Sequence, residues 1–391
     1  MSTDAMKRNL EYRIPYHNVI DADGHILEPP DIWEKYIDPQ YRDKAIRVRV
    51  NSEGKEYLEI EGHPSKFFNL KTFTLLGSMG ETADQMAAKL QEAKYIEAAP
   101  FGSMYPKERV ELLDREGLRA SILYPSIGLT WECETEDLGV SLAYAKAYNR
   151  WIVDFCSDYK GRLIPVAHIS LADGNEAAKE LERAVKAGCK GAFVAPFTVT
   201  MKAHAHPDHD PFWAKAQELG VPVGIHPMAE HPSKRVYQRF KEMKWADWYH
   251  NVLGAQGPQQ AFFALFQYGL FDKFPDVKVV LLESGAGWIG AALDRMDTTY
   301  ETALGKSVLL KEIPSFYFKR QCWISGDPDE KALAHIVEHV GNDKFFWATD
   351  FPHFDHPGNY LEALNNLVSP LSETARRNLL GDSVAKVYGL N

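Results

Sequence analysis

Short apolar runs alternate with segments of helical periodicity from about residue 19 to the end of the chain. The runs predict buried strands, and the apolar positions spaced three or four apart predict amphipathic helices. A first strand begins at Val19 and Ile20. The other strands are expected over residues 119–125, 162–169, 191–197, 221–227, 277–284, 321–325 and 344–350. Regular strand–helix alternation is typical of a parallel sheet, and eight units predict an α/β fold, the closed (β/α)8 TIM barrel.

Capping and stop residues give the expected bounds of the helices. Thr135 is expected to cap a helix that runs to about Tyr159, and Asp210 and Gly220 frame another. Further helices are predicted over residues 175–188, 259–271, 287–304, 329–341 and 372–390. A glycine-rich dinucleotide fingerprint is missing after the first strand, which disfavours an open doubly wound sheet.

The chain is longer than a bare barrel, which needs roughly 250 residues. The surplus lies in two insertions, residues 27–110 and 228–276, and each follows a strand at the end of the barrel where active sites lie. The first includes a predicted hairpin that turns at about residues 51–54. We therefore expect an N-terminal arm over residues 1–18 and one barrel domain over residues 19–391, with both insertions lying over its mouth.

Composition narrows the protein class. The chain has 391 residues, 45% hydrophobic and 25% charged, which excludes a disordered chain or a coiled coil. A formal net charge of −10 without a basic run disfavours nucleic-acid binding. Apolar runs are too short to span a membrane, and the first residues lack a signal-peptide pattern. Four cysteines without CxxC spacing are consistent with a reducing cytoplasm.

Acidic residues and histidines recur at the ends of the predicted strands. These candidates are Asp23, His25, His168, His226, Glu283 and Asp350. Each alone has a structural explanation as a cap or a buried hydrogen-bonded side chain, and His168 is the weakest candidate. Two histidines and two or three carboxylates meeting at one barrel rim would instead bind a divalent metal ion. The cation would offset the repulsion among the carboxylates.

Four motifs carry a family resemblance: DADGHILEPPDIW, DPFWAKAQELGVPVGIHP, FPDVKVVLLESGAGW and WATDFPHFDHP. With them the sequence resembles the amidohydrolase-related family that contains aminocarboxymuconate-semialdehyde, resorcylate and carboxyvanillate decarboxylases. The resemblance covers about residues 19–389 and implies a metal-dependent barrel that is often a dimer. It implies Asp23, His25, His226 and Asp350 as metal ligands, and Asp350 also as the proton-transfer group.

The sequence departs from this family at two positions. Asp23 stands where His or Glu is usual, and Glu283 stands where a catalytic His is usual. A glutamate at position 283 can act as a base, as a further ligand, or as a carboxylic acid whose pKa is raised by neighbouring anions. The change moves weight from decarboxylation towards hydrolysis.

Candidate substrate contacts lie near the mouth. Arg235, Arg239 and Trp245 in the second insertion suit an anionic aromatic acid, although a solvated amphipathic helix explains any single one of them somewhat better. His353 and His356 follow Asp350 and are expected to touch substrate or to orient Asp350. A second histidine cluster fits no standard zinc spacing and is expected to line the mouth or to cap a helix; it comprises His204, His206 and His209.

We expect an enzyme with one divalent metal ion, zinc first and manganese or iron as alternatives. Its predicted reaction is non-oxidative decarboxylation of a small cyclic or aromatic carboxylic acid. A hydrolase that uses a metal-activated water on an amide, lactone or carbon–carbon bond is the alternative. A non-catalytic barrel that only binds ligands is the second alternative. A cytoplasmic homodimer with a small-molecule substrate, and with neither nucleic acid nor membrane as a partner, completes the expectation.

Overall fold

The computed structural model describes residues 12–66, 72–92, 94–230 and 252–390. Its strands are β1 (Ile20–Ile26), β2 (Arg47–Val50), β3 (Glu56–Ile60), β4 (His63–Pro64), β5 (Ala120–Pro125), β6 (Leu163–His168), β7 (Gly191–Val194), β8 (Pro222–Ile225), β9 (Lys278–Leu281), β10 (Cys322–Gly326) and β11 (Phe345–Trp347). Eight of them form one sheet in the order β1-β5-β6-β7-β8-β9-β10-β11. Neighbours in this sheet pair in parallel, as the alternation of apolar runs and helices predicts.

The end of β11 returns to β1 and closes the sheet. The backbone N–H of Asp350 donates to the carbonyl of Asp23 at 2.9 Å, and that of His25 donates to the carbonyl of Phe351 at 2.7 Å. The buried carboxylate of Asp21 adds side-chain bonds, because it accepts from the Ser121 hydroxyl at 2.8 Å and from the Thr349 hydroxyl at 2.9 Å. The prediction of a (β/α)8 barrel is confirmed.

Helices follow the barrel strands. Their bounds are Ile32–Tyr36, Ala83–Glu92, Tyr95–Ala98, Pro106–Glu116, Leu138–Cys156, Gly174–Ala187, Asp210–Leu219, Gln256–Phe266, Leu270–Lys273, Ile289–Tyr300, Pro314–Gln321, Leu333–Val340, Tyr360–Val368, Glu373–Arg377 and Ser383–Tyr388. Among the described residues, no helix combines the length and the apolar character needed to cross a membrane.

Two helix predictions were wrong in detail. Asp137, not Thr135, caps the helix Leu138–Cys156, because its carboxylate accepts from the N–H groups of the first turn. The Thr135 hydroxyl instead donates back to the carbonyl of Trp131 at 2.8 Å. The segment expected as one helix over 259–271 is two helices, because Gly269 adopts φ 64°, a left-handed conformation that ends a helix.

A small antiparallel sheet, β2-β3-β4, stands between β1 and β5 in the chain. β2 and β3 pair from Arg47 with Glu59 to Val50 with Glu56. The predicted turn is present: the side chain of Asn51 accepts from the N–H groups of Glu53 at 3.0 Å and Lys55 at 2.9 Å. Part of the second predicted insertion, residues 231–251, lies outside the described residues.

Candidate metal centre

Two histidines and two aspartates, which lie on β1 and directly after β8 and β11, meet inside the rim of the barrel. His25 Nε2 and His226 Nε2 are 3.2 Å apart. Asp23 Oδ1 lies 3.4 Å from each of these nitrogens, and Asp350 Oδ1 lies 3.1 Å from His25 Nε2. All of these side chains are buried. The four metal ligands expected from the sequence are therefore brought together, because the carboxyl ends of the parallel strands share one rim.

Both imidazole rings are fixed through their other nitrogen. His25 Nδ1 donates to the carbonyl of Pro125, and His226 Nδ1 donates to the carbonyl of Pro227, each at 2.6 Å. These bonds leave Nε2 of each ring facing the shared space between the aspartates. A backbone acceptor on Nδ1 that orients Nε2 as a ligand is the usual arrangement around protein-bound metal ions.

Several oxygens of this cluster lack a donor. Asp23 Oδ1 and Oδ2, and Asp350 Oδ2, are buried and accept no hydrogen bond from the part of the chain that the structure describes. Burying ionised oxygens without partners is costly, and a cation would remove the cost. Two nitrogens and several carboxylate oxygens suit a divalent ion such as Zn²⁺, Mn²⁺ or Fe²⁺. The residues therefore fit the metal site that the sequence predicts.

The two aspartates of the cluster change the pKa of His25. Burial lowers the pKa of His25, but the carboxylates of Asp23 and Asp350, 3.4 and 3.1 Å from its Nε2, outweigh burial and raise that pKa to about 10. His25 is therefore cationic at neutral pH. Its Nε2 proton occupies the space that a metal ion would fill.

The pKa values of Glu283 and Asp350 are shifted in opposite directions. Burial, followed by repulsion from Asp350, raises the pKa of Glu283 well above its ordinary value. Burial also acts to raise the pKa of Asp350, but the His353 and His25 side chains outweigh it and hold that pKa well below its ordinary value. Glu283 is therefore the protonated carboxyl and Asp350 the ionised one. Glu283 Oε2 lies 3.4 Å from His226 Nε2, beside the candidate ligands.

The backbone is left-handed at both carboxyls, and it is strained at Glu283. Glu283 has φ 41° and Asp350 has φ 53°, in the left-handed region that side chains other than those of Asn, Asp and Gly rarely adopt. Such strain persists only where the surrounding structure enforces it, and it concentrates at functional sites. The strain at Glu283 is consistent with the functional role predicted for the end of β9.

Hydrogen bonds through the His353 side chain orient Asp350. His353 Nδ1 lies 2.9 Å from Asp350 Oδ1, and His353 Nε2 lies 2.9 Å from the Ser126 hydroxyl. Its ring also packs on His25, with centroids 4.1 Å apart. The structure thus gives His353 an orienting role toward Asp350, while its predicted contact with substrate stays a prediction.

Glu28 holds the loop that carries Ser126. This buried carboxylate accepts from the backbone N–H groups of Ser126 at 3.1 Å, Ile127 at 2.9 Å and Gly128 at 2.8 Å. The sequence analysis missed both Glu28 and Ser126. The available signal for Glu28 was its position in the motif DADGHILEPPDIW, three residues after His25. Ser126 carries no comparable signal.

Replacing Glu28 with Ala is expected to reduce the free energy of unfolding by about 3 kcal/mol, because three buried N–H groups lose their acceptor. Urea denaturation measures the change. Glu28→Gln keeps one oxygen acceptor and should lose less, and the exposed Glu53→Ala is the matched control. Equal stability of Glu28→Ala and wild type would contradict the assigned role.

The remaining predicted residues lie outside this cluster or outside the described chain. His168 packs between Trp131 and Phe193, with its Nε2 3.4 Å from Glu132. Arg235, Arg239 and Trp245 fall among residues that the structure does not describe.

The three histidines of the second cluster form hydrogen bonds that stabilise the loop in which they lie. His204 Nε2 donates to the carbonyl of Ala195 at 2.7 Å, and His209 Nδ1 lies 3.1 Å from the carbonyl of Ala203. His206 caps the following short turn by accepting from the N–H of Asp208. Among described residues, these three histidines form no group with metal-ligand spacing.

The sequence is similar to proteins of known family. An amidohydrolase family model matches residues 134–390. The gamma-resorcylate decarboxylase of Polaromonas sp. is 26% identical over 304 residues, which cover 72% of this chain and 87% of that protein.

Solved structures support the same fold. An amidohydrolase from Mycobacterium avium subsp. paratuberculosis has a TM-score of 0.80 at 21% identity, covering 95% of this chain and 99% of that one. A dihydroxybenzoic acid decarboxylase from Polaromonas sp., with bound manganese and the inhibitor 2-nitroresorcinol, has a TM-score of 0.64 at 19% identity, covering 96% of this chain and 98% of that one.

Proposed function

The chain belongs to the amidohydrolase family, and from that premise we propose that it is a metal-dependent decarboxylase of a small aromatic or cyclic carboxylic acid. The observation that carries the proposal is the buried cluster of two Nε2 atoms and carboxylate oxygens without donors. The similarity to a resorcylate decarboxylase gives the reaction class.

Asp23, His25, His226 and Asp350 would hold the metal ion. When bound, the ion supplies a Lewis acid that attracts the oxygens of an anionic substrate. Manganese is the ion to test first, because a structural relative contains it and because carboxylate-rich sites suit it. Zinc, the ion expected from the sequence, stays a prediction.

The chain's own carboxyls manage the proton that decarboxylation requires. The bond between the ring carbon and the carboxylate breaks, CO2 leaves without the bonding electrons, and the ring carbon takes up a proton. We assign this transfer to Asp350, which His353 orients at 2.9 Å. Because Asp350 is ionised at rest, it would act as a relay: it takes up a proton, for which the protonated Glu283 in the same cluster is the candidate source, and passes that proton to the ring carbon.

Metal binding should release about one proton per ion at pH 7.5, because the cation displaces the Nε2 proton of His25. Since metal binds only the deprotonated ring and the pKa is about 10, affinity should rise with pH between neutrality and that value. Calorimetric titration of metal-free protein with MnCl2, in two buffers of different ionisation enthalpy, counts the protons. Zero release and a pH-independent affinity would show that His25 is neutral before the metal arrives.

The activity test is CO2 release by manganese-loaded protein from a panel of hydroxybenzoates. We expect CO2 and the matching phenol in equal amounts from at least one member, and none after chelation of the metal. No CO2 from any member, with the metal bound, counts against decarboxylation.

Glu283 in place of the histidine usual in the resembling family favours one alternative, a metal-dependent hydrolase. In that reaction Glu283 or Asp350 would accept a proton from the attacking water. Assays with aromatic amides and lactones separate the two reactions, because hydrolysis of an amide or lactone yields an acid and no CO2.

The proposal also covers the oligomeric state of the protein and the residues that contact its substrate. We propose that the protein is a cytoplasmic homodimer with no nucleic-acid or membrane partner. Arg235, Arg239, Trp245 and His353 remain the candidate contacts to the carboxylate and ring of the substrate.

A further inference from the structure

A cavity of about 630 Å³ lies between the segments that follow β5 and β7 and the helix Gln256–Phe266. None of the four candidate metal ligands lines it, so it is separate from the metal cluster. Its volume is that of a typical small-molecule site. Much of its wall is apolar, formed by Pro196, Phe197, Val199, Ala261 and Ala264.

One wall of this cavity carries a buried carboxylate. Glu132 lines the cavity although only 5% of the residue is exposed. Of the described residues, only His168 forms a hydrogen bond with this side chain, and the distance from His168 Nε2 to Glu132 Oε2 is a long 3.4 Å. Glu132 Oε1 accepts no hydrogen bond from that part of the chain. Because a buried acceptor without a donor costs free energy, the cavity favours a ligand that donates to Glu132.

His204 supplies a second buried acceptor to the same cavity. Its Nε2 donates to the carbonyl of Ala195 at 2.7 Å. Burial lowers the pKa of His204 to about 4, so the ring is neutral at pH 7 and Nδ1 carries a lone pair. The charge of Glu132 also acts on this pKa, which shows that the two side chains are neighbours. No described residue donates to Nδ1, so both side chains present acceptors without donors.

The charges around the cavity favour a cation. Two lysines line it, and each already has a carboxylate partner: Lys66 Nζ lies 3.6 Å from Glu136 Oε1, and Lys202 pairs with Asp208. Against these two ammonium groups, the described lining contains four carboxylates, those of Glu132, Glu134, Glu136 and Glu230. The local field therefore attracts a positively charged ligand.

We propose that this cavity binds a protonated primary amine carried on an aryl or alkyl group, with the ammonium donating to Glu132 and His204. An ammonium has three N–H donors and no acceptor, which matches a wall of acceptors. The aryl or alkyl group would pack against the apolar walls. The site shares no residue with the metal cluster, so the inference does not rest on the decarboxylase activity.

The competing explanation is that His168 alone satisfies Glu132 and that the cavity holds only water. Under that explanation the cavity has no preference for a positive charge. The two explanations therefore differ in whether a cationic ligand binds more tightly than a neutral ligand of the same shape.

The test is calorimetric titration of manganese-loaded protein at pH 7.5 with phenethylamine and with phenethyl alcohol, its neutral counterpart. Wild type should bind the amine about tenfold more tightly or better, because a hydrogen bond to a charged group is worth that much. Glu132→Gln keeps the shape of the side chain and removes its charge, so it should lose this preference. Glu53→Gln makes the same change at an exposed position and should behave as wild type.

A second variant tests the cavity without altering its acceptors. Ala264 lies on the helix that lines the cavity, and Ala264→Trp should fill the space and abolish binding of both ligands. Equal affinity for amine and alcohol in wild type, or binding of neither, overturns the amine site. Unchanged amine affinity in Glu132→Gln or in Ala264→Trp places the amine elsewhere and overturns the assignment. If Glu132→Gln does not fold, Ala264→Trp decides between these outcomes.

Discussion

Asp350→Asn is expected to lower kcat on the order of 10³-fold while leaving the fold intact, because an amide cannot take up a proton and pass it on as a carboxylate does. The substitution is nearly isosteric. It also removes the negative charge that His25 and His353 face at 3.1 and 2.9 Å. This single substitution therefore affects both metal binding and proton transfer.

Steady-state assays on a substrate that releases CO2 measure this effect, with circular dichroism and thermal unfolding as checks on folding. Asp343→Asn makes the same chemical change at a half-exposed carboxylate and should keep wild-type kcat. Activity of Asp350→Asn within tenfold of wild type would remove Asp350 from the mechanism.

His226→Ala is expected to weaken metal binding by on the order of 10²-fold or more and to abolish turnover at ordinary metal concentrations. The substitution deletes one of the two Nε2 atoms that meet at 3.2 Å, and no described side chain replaces it. Changes in the residues around a metal ligand already cost 10- to 100-fold in affinity, so loss of a ligand itself should cost at least as much.

Thermal unfolding with and without MnCl2 reports the same loss without an activity assay. An ion at about 100 times its Kd stabilises the folded state by about 2.7 kcal/mol. Wild type should therefore show a rise in Tm on adding metal, and His226→Ala should show only a small one at the same concentration, because a 10²-fold weaker site gains about 0.4 kcal/mol or less. The exposed His339→Ala is the control and should respond as wild type. An equal rise in Tm for His226→Ala would exclude His226 as a ligand.

The barrel was predictable from the sequence because its strands are buried on both faces and carry long apolar runs. The placement of candidate ligands followed from the fold, since residues after β1, β8 and β11 must meet at one rim. Asp23, His25, His226 and Asp350 could therefore be grouped before any coordinates, although they are spread over more than 300 residues. Their role as ligands stays a prediction.

The features that were predicted wrongly or not at all do not follow from the hydrophobic pattern and the sequence motifs alone. Thr135 and Asp137 are both good capping residues, and the backbone conformation of the preceding turn decides between them. The role of Glu28 depends on a loop 98 residues away, which its carboxylate contacts through backbone N–H groups.

The most direct test of a metal centre built by these strands is a crystal structure of manganese-loaded protein with anomalous difference maps. Our account predicts a strong peak between His25 Nε2, His226 Nε2, Asp23 and Asp350 Oδ1. Because those nitrogens are 3.2 Å apart, one ion can reach both at about 2.2 Å. Full-occupancy manganese found elsewhere, with the two imidazoles still directly facing each other, would contradict it.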